Sequence, residues 1–244
     1  MDDTSLVDCF NQYFYIRRAD SDSLRALAYR VRYQVYCKEL GFEDKTSFPD
    51  KLESDSFDAY SDHFLIFHRE GPEEVAGTVR LVRPRKKAHR LPIEEHCLAA
   101  INCNKVDLDQ LHDGQFGELS RLAVTGEYRR RRGESRIPYM MNGSRADFGF
   151  PSFPYISVGL YMAAAAWCYS LGMNSVIVMM EPRLARHLAR LGILFEQAGD
   201  VIDYHGRRAP YTISQDVFFT HIKGPLRALY DHVAAEIGDV DLDL

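Results

Sequence analysis

The sequence predicts a mixed α/β (α+β) protein, a central sheet with helices packed on it, in one domain spanning residues 1–244. Three observations lead there. The length suits one large domain. About half of the residues are apolar, enough for a substantial core. The predicted elements run strand, helix, antiparallel strands, strand, helix, strand, helix, strand, which builds one mixed sheet.

Each element has its own signal. Tyr13 to Arg18 alternates loosely, as a first strand does. Asp20-Ser21-Asp22-Ser23 offers helix N-caps. Leu24, Leu27, Ala28, Val31, Val35 and Leu40 then recur at near-helical spacing, and Gly41 stops the helix. Residues 41 to 61 form a long polar loop, a length often tied to function. His63 to Phe67 and Val75 to Val82 read as an antiparallel hairpin around Gly71-Pro72. Leu91 to Leu98 is a short helix and Phe116 to Val124 a strand. A loop rich in Arg, Gly and Pro reaches to about Pro154. Tyr155 to Leu171 is a helix, Ser175 to Met180 a strand, and Pro182 to Leu191 a helix with proline near its start. Strands near Val201–Tyr204 and Ala209–Ile213 flank the turn His205-Gly206-Arg207-Arg208. Phe218 to Ile237 is helical, broken at Gly224-Pro225.

Composition excludes several classes. A formal net charge of -5 argues against a general nucleic-acid role. Five cysteines without a C-x-x-C argue against a disulfide framework or a zinc site, and no histidine–carboxylate spacing suggests a metal. Reduced thiols in a cytoplasmic protein are the expectation. The acidic start Met1-Asp2-Asp3-Thr4 lacks the features of a signal peptide. Phe148 to Met180 carries no charge, but Pro151, Pro154, Gly159, Gly172 and Asn174 interrupt it. A buried helix followed by a central strand is expected there, not a membrane span.

Four pieces occur in order that together resemble one family. They are Arg32 with Tyr36 and Phe42, then Asp55-Ser56-Phe57-Asp58, then Gly77-Thr78-Val79-Arg80-Leu81, then Glu118-Leu119-Ser120-Arg121. This pattern resembles the autoinducer (acyl-homoserine-lactone) synthases, whose aromatic positions in the first helix are Phe and Trp where this chain has Tyr36 and Phe42. Leu119 to Arg132 looks closer still to acyltransferases associated with the PEP-CTERM/exosortase system and to the related N-acyl amino acid synthases. All are variants of the GNAT fold, so the resemblance implies a mixed, mostly antiparallel sheet. It also implies transfer of a fatty acyl group from a thioester to an amine, with no tightly bound cofactor.

The resemblance makes Glu118 and Ser120 the catalytic residues and Glu118 the candidate base. Its other reading is an ion-pair partner of Arg80 or Arg32. Arg32, Asp55, Asp58, Arg80 and Arg121 are the implied substrate-binding set. Arg121 either pairs with Asp55 or Asp58, or holds an acceptor carboxylate. A regular strand puts Glu118 and Ser120 on one face and Leu119 and Arg121 on the other. Arg80, in the middle of a strand, is expected to be buried and paired. The run Arg129 to Gly133 stands where CoA-using relatives bind pyrophosphate, which makes Arg130, Arg132 and Gly133 the donor-binding residues. Four arginines there also suit an acidic acyl carrier protein, the expected partner. With no G-x-S-x-G elbow, direct transfer is expected. The acceptor is an amino acid or similar amine. S-adenosylmethionine as acceptor, a CoA-dependent acetyltransferase and a non-catalytic acyl-binding protein are the alternatives. Two strands splaying beside Glu118 would mark the thioester groove.

Overall fold

A computed structural model describes residues 3–69, 74–86, 88–106, 115–129 and 155–238. Its helices and strands follow the order α1 (Asp3–Tyr13), β1 (Phe14–Arg18), α2 (Asp22–Arg32), β2 (Ser61–His68), β3 (Glu74–Val82), α3 (Pro92–His96), β4 (Phe116–Val124) and α4 (Gly126–Arg129). They continue with α5 (Tyr155–Ser170), β5 (Ser175–Met180), α6 (Pro182–Arg190), β6 (Glu196–Gln197), β7 (Ile202–Asp203), β8 (Arg207–Ser214), α7 (Gln215–His221) and α8 (Pro225–Ile237). The strands form one sheet in the order β1-β2-β3-β4-β5-β8-β6, with β7 on β8. Among the described strands only β4 and β5 run parallel. The mixed, mostly antiparallel sheet is the expected one.

The apolar segment that raised the question of a membrane is divided between α5 and β5. Helix α5 is buried on every side from Tyr155 to Tyr169, as a helix apolar all round must be in a globular protein. No helix among the described residues is long and apolar enough to cross a membrane. Helix α5 lies close on β3 because Gly77 has no side chain. A Cβ there would stand 2.8 Å from the Ala123 carbonyl oxygen and 3.3 Å from both Ile156 and Leu160. We expect Gly77→Ala to cost about 1–3 kcal/mol through overpacking, measured by urea unfolding; a neutral result would show that α5 can withdraw freely.

The first helix departs from a simple rod. Ser21 caps α2 as expected, its side chain accepting from the Leu24 amide. From Tyr33 to Glu39 the chain widens into a π-helix, which closes where Leu40 donates to the Val35 carbonyl. Such widenings recur at functional sites. Gly41, at φ 65°, then turns the chain as predicted. The long loop contains two short 3₁₀ turns, Lys45–Ser47 and Ser56–Tyr60. Helices α1 and α4 and strand β6 are additions to the elements predicted from sequence; α4 falls in the stretch read as a loop.

Candidate active site: a splayed sheet beside a buried ion network

The centre of the molecule is a lattice of buried charges. Its local scaffold is the second 3₁₀ turn. The Asp55 side chain accepts from the Phe57 amide at 3.0 Å, and Asp58 accepts from the Asp55 amide at 2.8 Å. The D-x-x-D pair is therefore a capping box. The box fixes both carboxylates where the guanidinium groups of α2 and β3 reach them.

Arg32, fully buried, bonds to Glu53 and, at 2.7 Å, to Asp58. Arg80, also buried, bonds through Nη1 to Asp55 and to Asp58 (2.9 Å), and through Nε to Ser120 Oγ (3.0 Å). Arg121 reaches Glu53 and Glu43 at 3.2 Å and Asp55 at 3.3 Å. Burial alone would raise the Asp58 carboxyl, but Arg32 and Arg80 outweigh it and hold the group well below its ordinary range. His63 lies 3.4 Å from Asp58, yet burial and Arg32 push its imidazole down to about 3, so it is neutral.

Glu53 and Glu43 were not among the residues singled out from sequence. Glu53 is 1% exposed and joins Arg32 to Arg121. Within an acidic loop, nothing in its sequence neighbourhood sets it apart from solvated carboxylates.

Glu118 stands apart from this lattice. It is buried, and its carboxylate accepts the Ile93 amide at 2.8 Å from the start of α3. Among the described residues it makes no ion pair with Arg80 or Arg32, contrary to the alternative reading; Arg80 spends its Nε on Ser120 instead. Burial pushes the Glu118 carboxyl up to about 8, against the opposing pull of the Ile93 amide, Arg80 and Arg121.

The strand itself breaks between Ser120 and Leu122. Thr78 pairs with Ala123 but Arg80 pairs with Ser120, so β4 carries one extra residue opposite Val79. Arg121 sits in the left-handed region at φ 51°. This is a β-bulge, and it corrects the expected alternation. Leu119 and Leu122 face the apolar core, whereas Arg121 joins Ser120 on the side of the ion lattice. The bulge also separates two strands. The β4–β5 ladder ends at the pair Leu119–Val178, although both strands continue.

Two cavities adjoin that gap. One, of about 670 Å³ and open to solvent, lies between the splayed strands and is lined by Val79, Leu122, Tyr161, Val178, Met180 and Leu184, with Glu181 and Arg183 as charged members. The other, of about 590 Å³, is lined by Phe42, Glu43, Ile93, Glu118, Tyr204 and His205. Tyr36, Leu119, Ser120, Arg121, Met179 and Arg208 line both. The Tyr36 hydroxyl donates to the Leu122 carbonyl at 2.8 Å. The Thr125 amide bonds to Ala76 of β3, so by strand alternation the amide and carbonyl of Leu122 face the gap.

Arg130, Arg132 and Gly133 lie outside the described residues. Their neighbour Arg129 is engaged by Glu39, which also accepts the Gly126 amide at 3.2 Å.

Residues 31–138 match the family model described as the acetyltransferase (GNAT) domain. No curated protein sequence matches the chain. Among solved structures the chain is similar to BjaI, a CoA-dependent acyl-homoserine lactone synthase, at 18% identity, covering 95% of each chain with a TM-score of 0.59. It is similar to FeeM, an N-acyl amino acid synthase from uncultured soil microbes, at 14% identity, covering 85% of this chain and 93% of that one with a TM-score of 0.57. It is also similar to the acyl-homoserine lactone synthase LasI, at 15% identity, covering 89% and 94% with a TM-score of 0.55. The fold is therefore the GNAT fold, as the sequence resemblance implied.

Proposed function

We propose that this GNAT-fold chain is an N-acyltransferase that moves a fatty acyl group from an acyl-carrier-protein or CoA thioester to the amine of an amino acid. One observation carries the reading. Two cavities meet at the bulge, one between the splayed strands with an apolar wall of Val79, Leu122, Tyr161, Val178 and Leu184, and one holding Glu118.

The apolar wall of the first cavity suits the acyl chain, and its charged members Glu181 and Arg183 suit the polar carrier arm. With the thioester carbonyl at the junction, the Leu122 amide points at the position where its oxygen gains charge. A preset backbone donor stabilises such an oxyanion without reorganisation. The amine enters from the other cavity. Glu118 takes a proton from the ammonium, directly or through a water, and the freed nitrogen attacks the carbonyl carbon. The tetrahedral intermediate collapses, the carbon–sulfur bond breaks, the nitrogen gives its second proton to the departing thiolate, and the thiol leaves with the carrier. Ser120, held by Arg80, and the ion lattice keep β4 in its bulged form. The arginine run at 129–132 is the proposed carrier-facing edge. BjaI and FeeM, described as a CoA-dependent acyl-homoserine lactone synthase and an N-acyl amino acid synthase, support acyl transfer to a small amine on this fold.

The test pairs the purified protein with acyl-carrier-protein and CoA thioesters, from acetyl to long chains. Each is offered the common amino acids and S-adenosylmethionine, and products are read by mass spectrometry. Long-chain N-acyl amino acids are expected. Products only from acetyl-CoA, or only acyl-homoserine lactone, would replace this reading, and no product in any pairing would end it.

A further inference from the structure

We infer that Arg208 is the carboxylate anchor of the acceptor site, so that the amine substrate is an α-amino acid held as a zwitterion. The inference rests on the proposed transfer to an amine and adds the residue that selects among amines.

The guanidinium groups of the site differ in one respect. Arg32, Arg80 and Arg121 are each engaged by two or three carboxylates. Arg121, read from sequence either as a partner of Asp55 or Asp58 or as the holder of an acceptor carboxylate, faces Glu43, Glu53 and Asp55. Arg208 lines both cavities, yet it has no ion pair among the described residues, and its Nε is buried without a hydrogen-bond partner. Glu181 follows the last β5–β8 pair and stands opposite Arg208 in register, but makes no ion pair with it. A buried donor without a partner is costly, and a carboxylate from the substrate repairs it.

The position is also built. Arg208 is the second residue of β8, beyond a tight turn in which His205 and Gly206 both have positive φ, 51° and 97°. That turn is braced from outside the hairpin. His205 packs on Phe42 at 4.9 Å, Phe42 stacks on Tyr36 at 6.4 Å, and Tyr204 stacks on His96 at 6.4 Å. The same charged cavity presents Glu43 and Glu118. Glu43 is taken up by Arg121, so one guanidinium, Arg208, and one carboxyl, Glu118, stand in this chamber without an ion pair among the described residues, and they match the carboxylate and the amine of an amino acid. A guanidinium fork binds a carboxylate in two parallel bonds, which orients the amine as well as holding it.

The experiment compares each amino acid that the enzyme accepts with its amide and its decarboxylated amine, using one donor thioester. Wild type is expected to favour the free acid on the order of 10- to 100-fold in kcat/KM. In Arg208→Met this ratio falls toward one, while Arg208→Lys keeps part of it. The lysine variant keeps the assignment testable if the methionine variant does not fold, and calorimetry of amino-acid binding gives a second readout. Equal use of acid and amine by wild type would overturn the anchor and leave the transferase standing. So would an unchanged ratio with a raised donor KM in the variants, which would move Arg208 to the donor. Absence of any N-acyl product would overturn both.

Discussion

Glu118→Gln is expected to lower kcat by about 10²- to 10⁴-fold, the range for loss of a positioned general base. The amide is isosteric and can still accept the Ile93 amide, so the fold around α3 is retained. The pH profile gives the sharper result. A base acts only when ionised, and burial has raised this carboxyl to about 8. The wild-type kcat/KM is therefore expected to rise through about pH 8. The acceptor ammonium contributes its own limb, which survives in the variant, whereas the Glu118 limb disappears. Stability moves in the opposite sense. The folded protein holds the Glu118 proton above the ordinary glutamate value of 4.5, so it is favoured at low pH and loses that advantage between 4.5 and about 8. Above pH 8 the native state carries a desolvated carboxylate. The glutamine variant should then melt higher than wild type at pH 9, with the gap closing near pH 5. A variant that stays active and keeps the wild-type pH profile would remove Glu118 from proton transfer.

How far this site was legible depends on which physics wrote it. The bounds of β4 and β5 follow from β-branched and apolar runs closed by turns, and they appear as predicted. The charge set Arg32, Asp55, Asp58, Arg80 and Arg121 was legible as a pattern, and the fold brings it together. Its actual bonding was not. Glu53 lies 21 residues from Arg32 and 68 from Arg121, and that pairing exists only once α2, the acidic loop and β4 are packed. The bulge was hidden for another reason. A left-handed residue is usually announced by glycine, asparagine or aspartate, and here it is Arg121. Tertiary ion pairs to Glu43, Glu53 and Asp55 hold that conformation, so no local signal existed. Arg208 showed only as part of a turn, because its lack of a partner is a property of the chamber around it.

Arg32→Met is expected to destabilise the protein by about 3–5 kcal/mol, the cost of removing one side of a buried ion pair. Arg32 is 0% exposed and Glu53 1%, so the carboxylates left behind cannot turn to water. Burial alone works against the charged form of Arg32, yet Glu53 and Asp58 raise its proton affinity above the ordinary arginine value. The reciprocal effect appears at Asp58, which Arg32 and Arg80 hold ionised below the ordinary aspartate value of 3.8. That depression contributes stability above pH 3.8, and the contribution is lost as pH falls toward the folded value. With Arg32 gone, Asp58 keeps one arginine, Arg80, and the Asp55 amide, and protonates more readily, so the acid-unfolding midpoint should move to higher pH. Urea unfolding at pH 7 and acid titration read the two effects independently. The loss should also reach the chemistry, because Glu53 steadies Arg121 at the bulge and Asp58 steadies Arg80 against Ser120. A change below about 1 kcal/mol, the size typical of exposed pairs, would mean that the lattice is solvated, and the bulge would then need another source of support.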